Sequence, residues 1–448
     1  MDSSMTLGNT PAIAKSTRRE RIAWYLYDFG NSAYAAVVLL AVYSAYFQGQ
    51  VAGGAEGSRL WGISIGIAML VVALSSPILG AIADHTGAKK RFLLFYTVLA
   101  VVFTAALFFV GPGDVFIGML FFILAEIGYR SAQVFYNALL PEIATPEEIG
   151  SISGIGWAIG SAGGILCLVL ILALMTSVGG TFVVRLAFLI TALFYALSAI
   201  PIFLQVREKA QPQPLPEGES MLSVGFKRLA KTFRLVRRYK EFVKFMISFL
   251  VYNDGIIMAL DFAAILGAVL YGMEQQELII FMILVQATSV AGAYLFGILT
   301  DRLSPKKSLL ISLLLMIAAT VWMYFNQTIT GFYWIGALAG FALTGVQSVS
   351  RAMIGLFSPP GQSAEFYGFF AVTGRTSSFI GPTIYGIIAA EAALWYQARG
   401  LAVTAAEQAG QRLAILSIIL FLVVGGMLLL SVNERRARQE AFEPVSPT

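Results

Sequence analysis

Apolar runs of about 20 residues, the length a helix needs to cross a bilayer, recur along this chain between short polar breaks. They fall at 22–47, 59–83, 92–111, 115–140, 151–177 and 183–204, then at 242–270, 278–300, 308–326, 330–357, 365–390 and 410–431. Hydrocarbon offers the backbone no hydrogen-bond partner, so each run is expected to satisfy itself as a helix. The expected fold class is all-α and integral to the membrane: twelve transmembrane helices in two pseudo-symmetric six-helix bundles. The organisation reads as an N-terminal tail at 1–21, a first bundle at 22–204, a basic linker at 205–241, a second bundle at 242–431 and a C-terminal tail at 432–448. The linker carries Gln211-Pro-Gln-Pro-Leu-Pro216, which cannot continue a helix. The first apolar run is too long for a signal peptide and has no small-residue cleavage site, so helix one is expected to stay as a span.

Composition narrows the chemistry. Charged residues make up 12% of the chain, about half of what a soluble domain carries. There is one cysteine, Cys167, and one histidine, His85. A disulfide framework, a thiolate or multi-histidine metal site and a Ser-His-Asp triad are therefore excluded. No metal, cofactor or catalytic activity is expected, and any proton pathway has to run on carboxylates. The net charge of +5 sits beside membrane spans, where it suits anionic lipid head groups rather than nucleic acid.

Lysine and arginine set the orientation. They precede helix one (Lys15, Arg18, Arg19, Arg21), follow helix two (Lys89, Lys90, Arg91), fill the linker, follow helix eight (Arg302, Lys306, Lys307) and follow helix twelve (Arg435, Arg436, Arg438). With alternating spans all of these lie on one side, so both termini and the linker are expected to be cytoplasmic. A bacterial inner membrane is the expected location.

Two loops repeat one pattern. Gly80-Ala-Ile-Ala-Asp84-His-Thr-Gly87-Ala-Lys89-Lys90-Arg91 follows helix two, and Gly297-Ile-Leu-Thr-Asp301-Arg302-Leu-Ser-Pro-Lys306-Lys307 follows helix eight. Glycine, three residues, aspartate and a basic cluster recur one half-chain apart, as two parallel six-helix repeats would give. Gly80 and Gly297 are expected to allow close helix approach. Asp84 and Asp301 are expected to cap or pair across the half-interface, with the basic residues forming conformation-dependent ion pairs. The paired loops strongly resemble the signature loop of the major facilitator superfamily.

Further motifs refine the resemblance. They are Trp24-Tyr-Leu-Tyr-Asp28-Phe-Gly-Asn31-Ser-Ala-Tyr34 in helix one, Phe135-Tyr-Asn137-Ala-Leu-Leu-Pro141 in helix four, and Ser153-Gly-Ile-Gly-Trp157-Ala-Ile-Gly160 in helix five. Helix seven adds Tyr252-Asn-Asp254-Gly255, helix ten Gly345-Val-Gln347-Ser-Val-Ser-Arg351, and helix eleven Gly374-Arg375-Thr-Ser-Ser378 before Gly381-Pro382. Together they look like the vacuole-effluxer family, whose fungal members are linked to amino-acid export from the vacuole. Met258, Ser161 and Arg375 stand where that pattern has threonine, tyrosine and lysine. The resemblance implies a transporter working by alternating access, and by analogy with the architecture a monomer.

Charged groups in hydrocarbon are costly unless paired or facing water, so they are the binding or coupling candidates. Asp28 and Asn31 share a face of helix one, and Asp254 lies in helix seven, expected to face Asp28 across the pseudo-twofold axis. Glu126 and Arg130 are one helical turn apart and can pair; Gln133 and Asn137 continue their stripe. Gln347, Arg351 and Arg375 belong to helices ten and eleven. Tyr27, Trp157 and Tyr252 are candidate cavity-lining aromatics, and Asp261 a candidate vestibule acid. The expected cavity lies between helices 1, 4 and 5 and helices 7, 10 and 11. A small zwitterion such as an amino acid would suit these groups, with a proton as coupling ion. The alternatives are a carrier of organic anions, peptides, sugars or lipophilic compounds, and a receptor or scaffold on a transporter fold.

Overall fold

The computed structural model describes residues 16–144, 149–208, 233–359 and 379–442, with isolated positions in the intervening segments. The first half contains α1 (Arg18–Ala52), α2 (Gly54–Thr86), α3 (Lys89–Ala106), α4 (Val115–Ala138), α5 (Ile149–Val178) and α6 (Thr181–Gln205). The second contains α7 (Lys240–Asp261, continued by Ala263–Tyr271), α8 (Gln275–Arg302), α9 (Pro305–Phe325), α10 (Ile329–Phe357), α11 (Ile380–Ala398) and α12 (Val403–Leu430). A short helix, α13 (Glu434–Phe442), follows in the C-terminal tail. Among the described residues, 11 helices are long and apolar enough to cross a membrane. The remaining expected span is represented by α11, whose preceding segment lies largely outside the described residues.

Local chemistry fixes the helix starts. Thr17 and Glu20 form a reciprocal capping box on α1, Glu20 N donating to Thr17 Oγ1 at 3.2 Å and Thr17 N to Glu20 Oε2 at 2.8 Å. Ser304 caps α9 ahead of Pro305, and Thr328 caps α10. Gly87, at φ 61°, takes the left-handed conformation just past α2, where a side chain would strain the turn.

Packing repeats between halves. α1 packs on α5 and α6, α4 on α2 and α3, and α3 on α6. The same arrangement recurs as α7 on α11 and α12, α10 on α8 and α9, and α9 on α12. Side chains such as Leu74, Phe109, Phe116 and Leu204 are exposed over the outer faces, as bilayer contact requires. Twin ties hold each half together at the termini-bearing end. Lys90 Nζ donates to the Phe203 and Val206 carbonyls at the end of α6, and Lys306 Nζ to the Leu430 and Val432 carbonyls at the end of α12. Each lysine meets carbonyls that the helix end leaves without partners. Similarly, Glu20 in α1 accepts from Arg207 N and Glu241 in α7 from Asn433 N.

The halves meet through two equivalent seams, α2 with α11 and α5 with α8, and through the far parts of α1 and α7. The first seam is backbone against backbone: a Cβ on Gly62 would lie 2.3 Å from the Pro382 carbonyl oxygen, and one on Gly386 2.6 Å from that of Ser58.

Candidate functional site

Polar groups gather along the half-interface in two layers. In the layer nearer the termini, Trp24 and Tyr27 of α1 stack on Tyr136 of α4, with ring centroids 4.4 and 5.0 Å apart. Trp24 Nε1 donates to the Tyr136 carbonyl at 3.2 Å. This aromatic wall sets the rotation of α1 and turns Asp28 toward α5, where a Cβ on Gly160 would lie 2.7 Å from Asp28 Oδ2. Arg351 of α10 is exposed, and its field reaches Asp28 from the other half. Asn31 is 1% exposed, and its Oδ1 has no hydrogen-bond partner among the described residues. Gln347 and Trp157 are half-buried and Asn137 is exposed.

The second layer is deeper. Glu126 is fully buried and its Oε1 accepts from Arg130 Nε at 2.6 Å. Tyr129 stacks against Tyr34 and lies under the Arg130 guanidinium, 5.3 Å from ring centroid to Cζ. The Tyr34 hydroxyl faces Glu126, and Gln133 Nε2 donates to the Tyr129 hydroxyl at 3.0 Å. From the other half Asp261 approaches Arg130 and Glu126, and its backbone carbonyl accepts from Trp61 Nε1 at 2.9 Å.

Beyond this layer the far end is locked. Arg59 pairs with Glu391 at 3.0 Å and Thr383 Oγ1 donates to the Gly62 carbonyl at 3.4 Å. Gln411 Nε2 donates to Ser58 Oγ at 2.6 Å and its Oε1 accepts from Tyr385. Gln275 and Gln276 of α8 donate to the Val42 and Met175 carbonyls. By sequence alone Arg59 is a loop charge and Glu391 an interface anchor, and the glutamine contacts are invisible. The closely spaced glycines of α2 are the signal that could have pointed to this seam.

Several expectations change. Tyr27 is fully buried inside the first bundle, its hydroxyl bonded to Thr97 at 2.7 Å and Tyr195 at 2.8 Å, because α3 and α6 offer polar partners that lipid does not. Tyr252 is likewise buried and bonds Ser350 within the second bundle. Asp254 is 3% exposed and packs against Gly381 of α11. Asp28 lies against Gly160 of α5 and the Asp254 Cβ against Gly381 of α11, each on a helix of its own half. Asp261, expected in a vestibule, is 4% exposed beneath the lock. A Cβ on Gly297 would meet nothing within 4 Å among the described residues.

In the loop motifs, Lys89 pairs with Glu142 at 2.9 Å, while Arg91 and Arg302 are exposed. The surroundings of Gly80, the side chains of Asp84 and Asp301, and the whole of Arg375 lie outside the described residues. Away from the polar layers, a partly open pocket of about 70 Å³ in the second bundle is lined by apolar side chains, among them Leu260, Met282 and Met316, together with Thr320. Nothing in it recognises a polar solute.

Known proteins share this architecture. The chain is 27% identical over 431 residues to the uncharacterized MFS-type transporter YxiO of Bacillus subtilis, covering 94% of this chain and 96% of that one. It is 23% identical to autophagy-related protein 22 of Yarrowia lipolytica, covering 73% and 70% respectively. Among solved structures, a bacterial homolog of the human lysosomal transporter Spinster, inward-facing and unoccupied, superposes with a TM-score of 0.70 at 16% identity, covering 98% of this chain and 100% of that one. The nucleoside transporter NupG, as a point mutant, gives 0.70 at 14% identity, covering 92% and 99%. At such identities these two structures speak for the fold alone. A family model described as vacuole effluxer Atg22 like matches residues 60–442, and the chain belongs to that family of major facilitator transporters.

Proposed function

We propose that the protein is a secondary active carrier that moves a small polar solute by alternating access, with amino acids as its first candidate substrates and a proton as coupling ion. The observation that carries this reading is that opposite charges from the two halves lie within each other's field, Asp28 on α1 and exposed Arg351 on α10. An ammonium group and a carboxylate on one small molecule complement that arrangement. Asn31 and Gln347 complete the candidate site, half-buried Trp157 is its candidate wall, and Arg375 is a candidate on the sequence alone. With both termini cytoplasmic, the locked end faces away from the cytoplasm and the arrangement is inward-facing.

The experiment is a thermal-shift screen of purified protein against amino acids, dipeptides, organic acids and nucleosides, since a ligand of the folded state raises apparent stability by mass action. Stabilisation by an amino acid that disappears in Asp28→Asn and Arg351→Ala supports the reading. Stabilisation by organic anions alone, kept in Asp28→Asn, overturns the zwitterion assignment.

A further inference from the structure

We propose that Asp261 carries the proton that allows the locked end to close, and that it gives this proton up when the end opens. The proposal rests on the alternating-access reading and names a protonation step that gates one end within it.

The chain places Asp261 where the halves move apart. α7 breaks at Phe262, with φ −106° and ψ 1°, so Asp261 is the last residue of its first segment. Its backbone carbonyl holds Trp61 of α2, tying it directly to the seam. Its side chain is 4% exposed, Oδ2 is enclosed, and among the described residues no hydrogen bond reaches the carboxylate.

The surrounding charges do not make up the deficit. From α4, Arg130 is already bonded by Glu126 at 2.6 Å within its own half, so one guanidinium stands between two acids. α1 contributes Tyr34, turned to Glu126, and α4 also contributes Tyr129 beneath the guanidinium. α2 contributes Arg59, engaged with Glu56 and Glu391. α11 contributes Tyr385, whose hydroxyl is bonded to Gln411 and whose ring lies on Phe262. α7 itself carries Asp254 two turns earlier.

An ionised carboxylate shut away with no donor is strongly disfavoured, while a neutral carboxyl is not. A proton needs no space beyond the carboxyl group itself, so it is the cation that the enclosed Oδ2 can take. Opening the seam breaks the Trp61 tie and admits water that solvates the charged form, which outweighs the loss of the Arg130 field. Closure therefore forms one O–H bond on Asp261 with a proton from water on that side, and opening returns it to water.

The test is the distance between spin labels at Pro112→Cys and Thr404→Cys, exposed positions at the locked end of each half, in a Cys167→Ala background. In wild type the ratio of short- to long-distance populations is expected to fall by up to about tenfold per pH unit as pH rises through the transition. Asp261→Asn, a permanent neutral isostere, is expected to stay short at every pH, and Asp261→Glu to keep the pH dependence. Wild-type pH dependence persisting in Asp261→Asn overturns the proposal. A flat wild-type profile also overturns it, provided that the wedge Gly62→Leu opens the end. An end that stays closed even in Gly62→Leu overturns alternating access itself.

Discussion

Gly62→Ala separates a moving seam from a static one. The added Cβ would stand 2.3 Å from the Pro382 carbonyl oxygen, a backbone atom that cannot rotate away. Ordinary contact needs about 1 Å more, so α2 and α11 must part. Overpacking of this kind costs about 1–3 kcal/mol. If the halves rock about this seam, opening relieves the clash and the closed-to-open ratio falls about 5- to 150-fold. The matched control is Gly163→Ala, whose Cβ would meet the Phe29 carbonyl oxygen at 2.1 Å. That contact lies between α1 and α5 of one half, where rocking offers no relief, so the cost appears as lost thermal stability. The assay is alkylation of Thr383→Cys, beside Gly62, in a Cys167→Ala background. Gly62→Ala is expected to raise the labelling rate toward that factor with little change in melting temperature, and Gly163→Ala to do the reverse. Equal loss of melting temperature in both variants, with unchanged labelling, would refute the reasoning.

Three further outcomes are expected. Glu126→Gln leaves the half-buried Arg130 guanidinium with Asp261 as its remaining nearby acid and should cost about 1–3 kcal/mol of stability, seen as a drop in melting temperature that Glu126→Gln with Arg130→Gln partly recovers. Trp61→Phe removes the N–H bonded to the Asp261 carbonyl and part of the ring packed on Phe122; the lost hydrogen bond, worth about 1 kcal/mol, should favour opening of the locked end by about fivefold in the spin-label measurement, and the lost packing should lower the melting temperature. Lys306→Met frees the carbonyls at the end of α12 and should lower stability by about 1 kcal/mol; Lys90→Met should do the same at α6, neither altering solute affinity in a binding titration.

The architecture was legible because hydrocarbon imposes length and periodicity on every span. Val115–Ala138, expected at 115–140, shows how closely an apolar run bounded by Asp114 and Pro141 marks its helix. The pair Glu126–Arg130 was legible for the same reason, since helical spacing alone brings them together. What crosses between helices was harder. Nothing local distinguishes Tyr27, bonded inward to Thr97 and Tyr195, from a tyrosine turned to a cavity. The basic clusters read as orienting features, yet the ties made by Lys90 and Lys306 depend on where α6 and α12 end, far along the chain from either lysine. The seam glycines were visible, but their partner Pro382 lies 320 positions beyond Gly62 and is set by tertiary packing alone.

α1 does not run to its far end as a regular α-helix: Ala35–Ala41 and Phe47–Ala52 wind as π-helix, each wide turn holding slack that an α-turn lacks. The segment beyond touches Ala263–Tyr271, the part of α7 that follows its own break. Two short, separately jointed pieces therefore face each other across the interface. Exchanging one π turn for an α turn shifts such a piece by about one residue, roughly 1.5 Å along its axis, while the rest of the bundle stays still. A change of winding there would thus move the far pieces of α1 and α7 against each other without any movement of the two bundles.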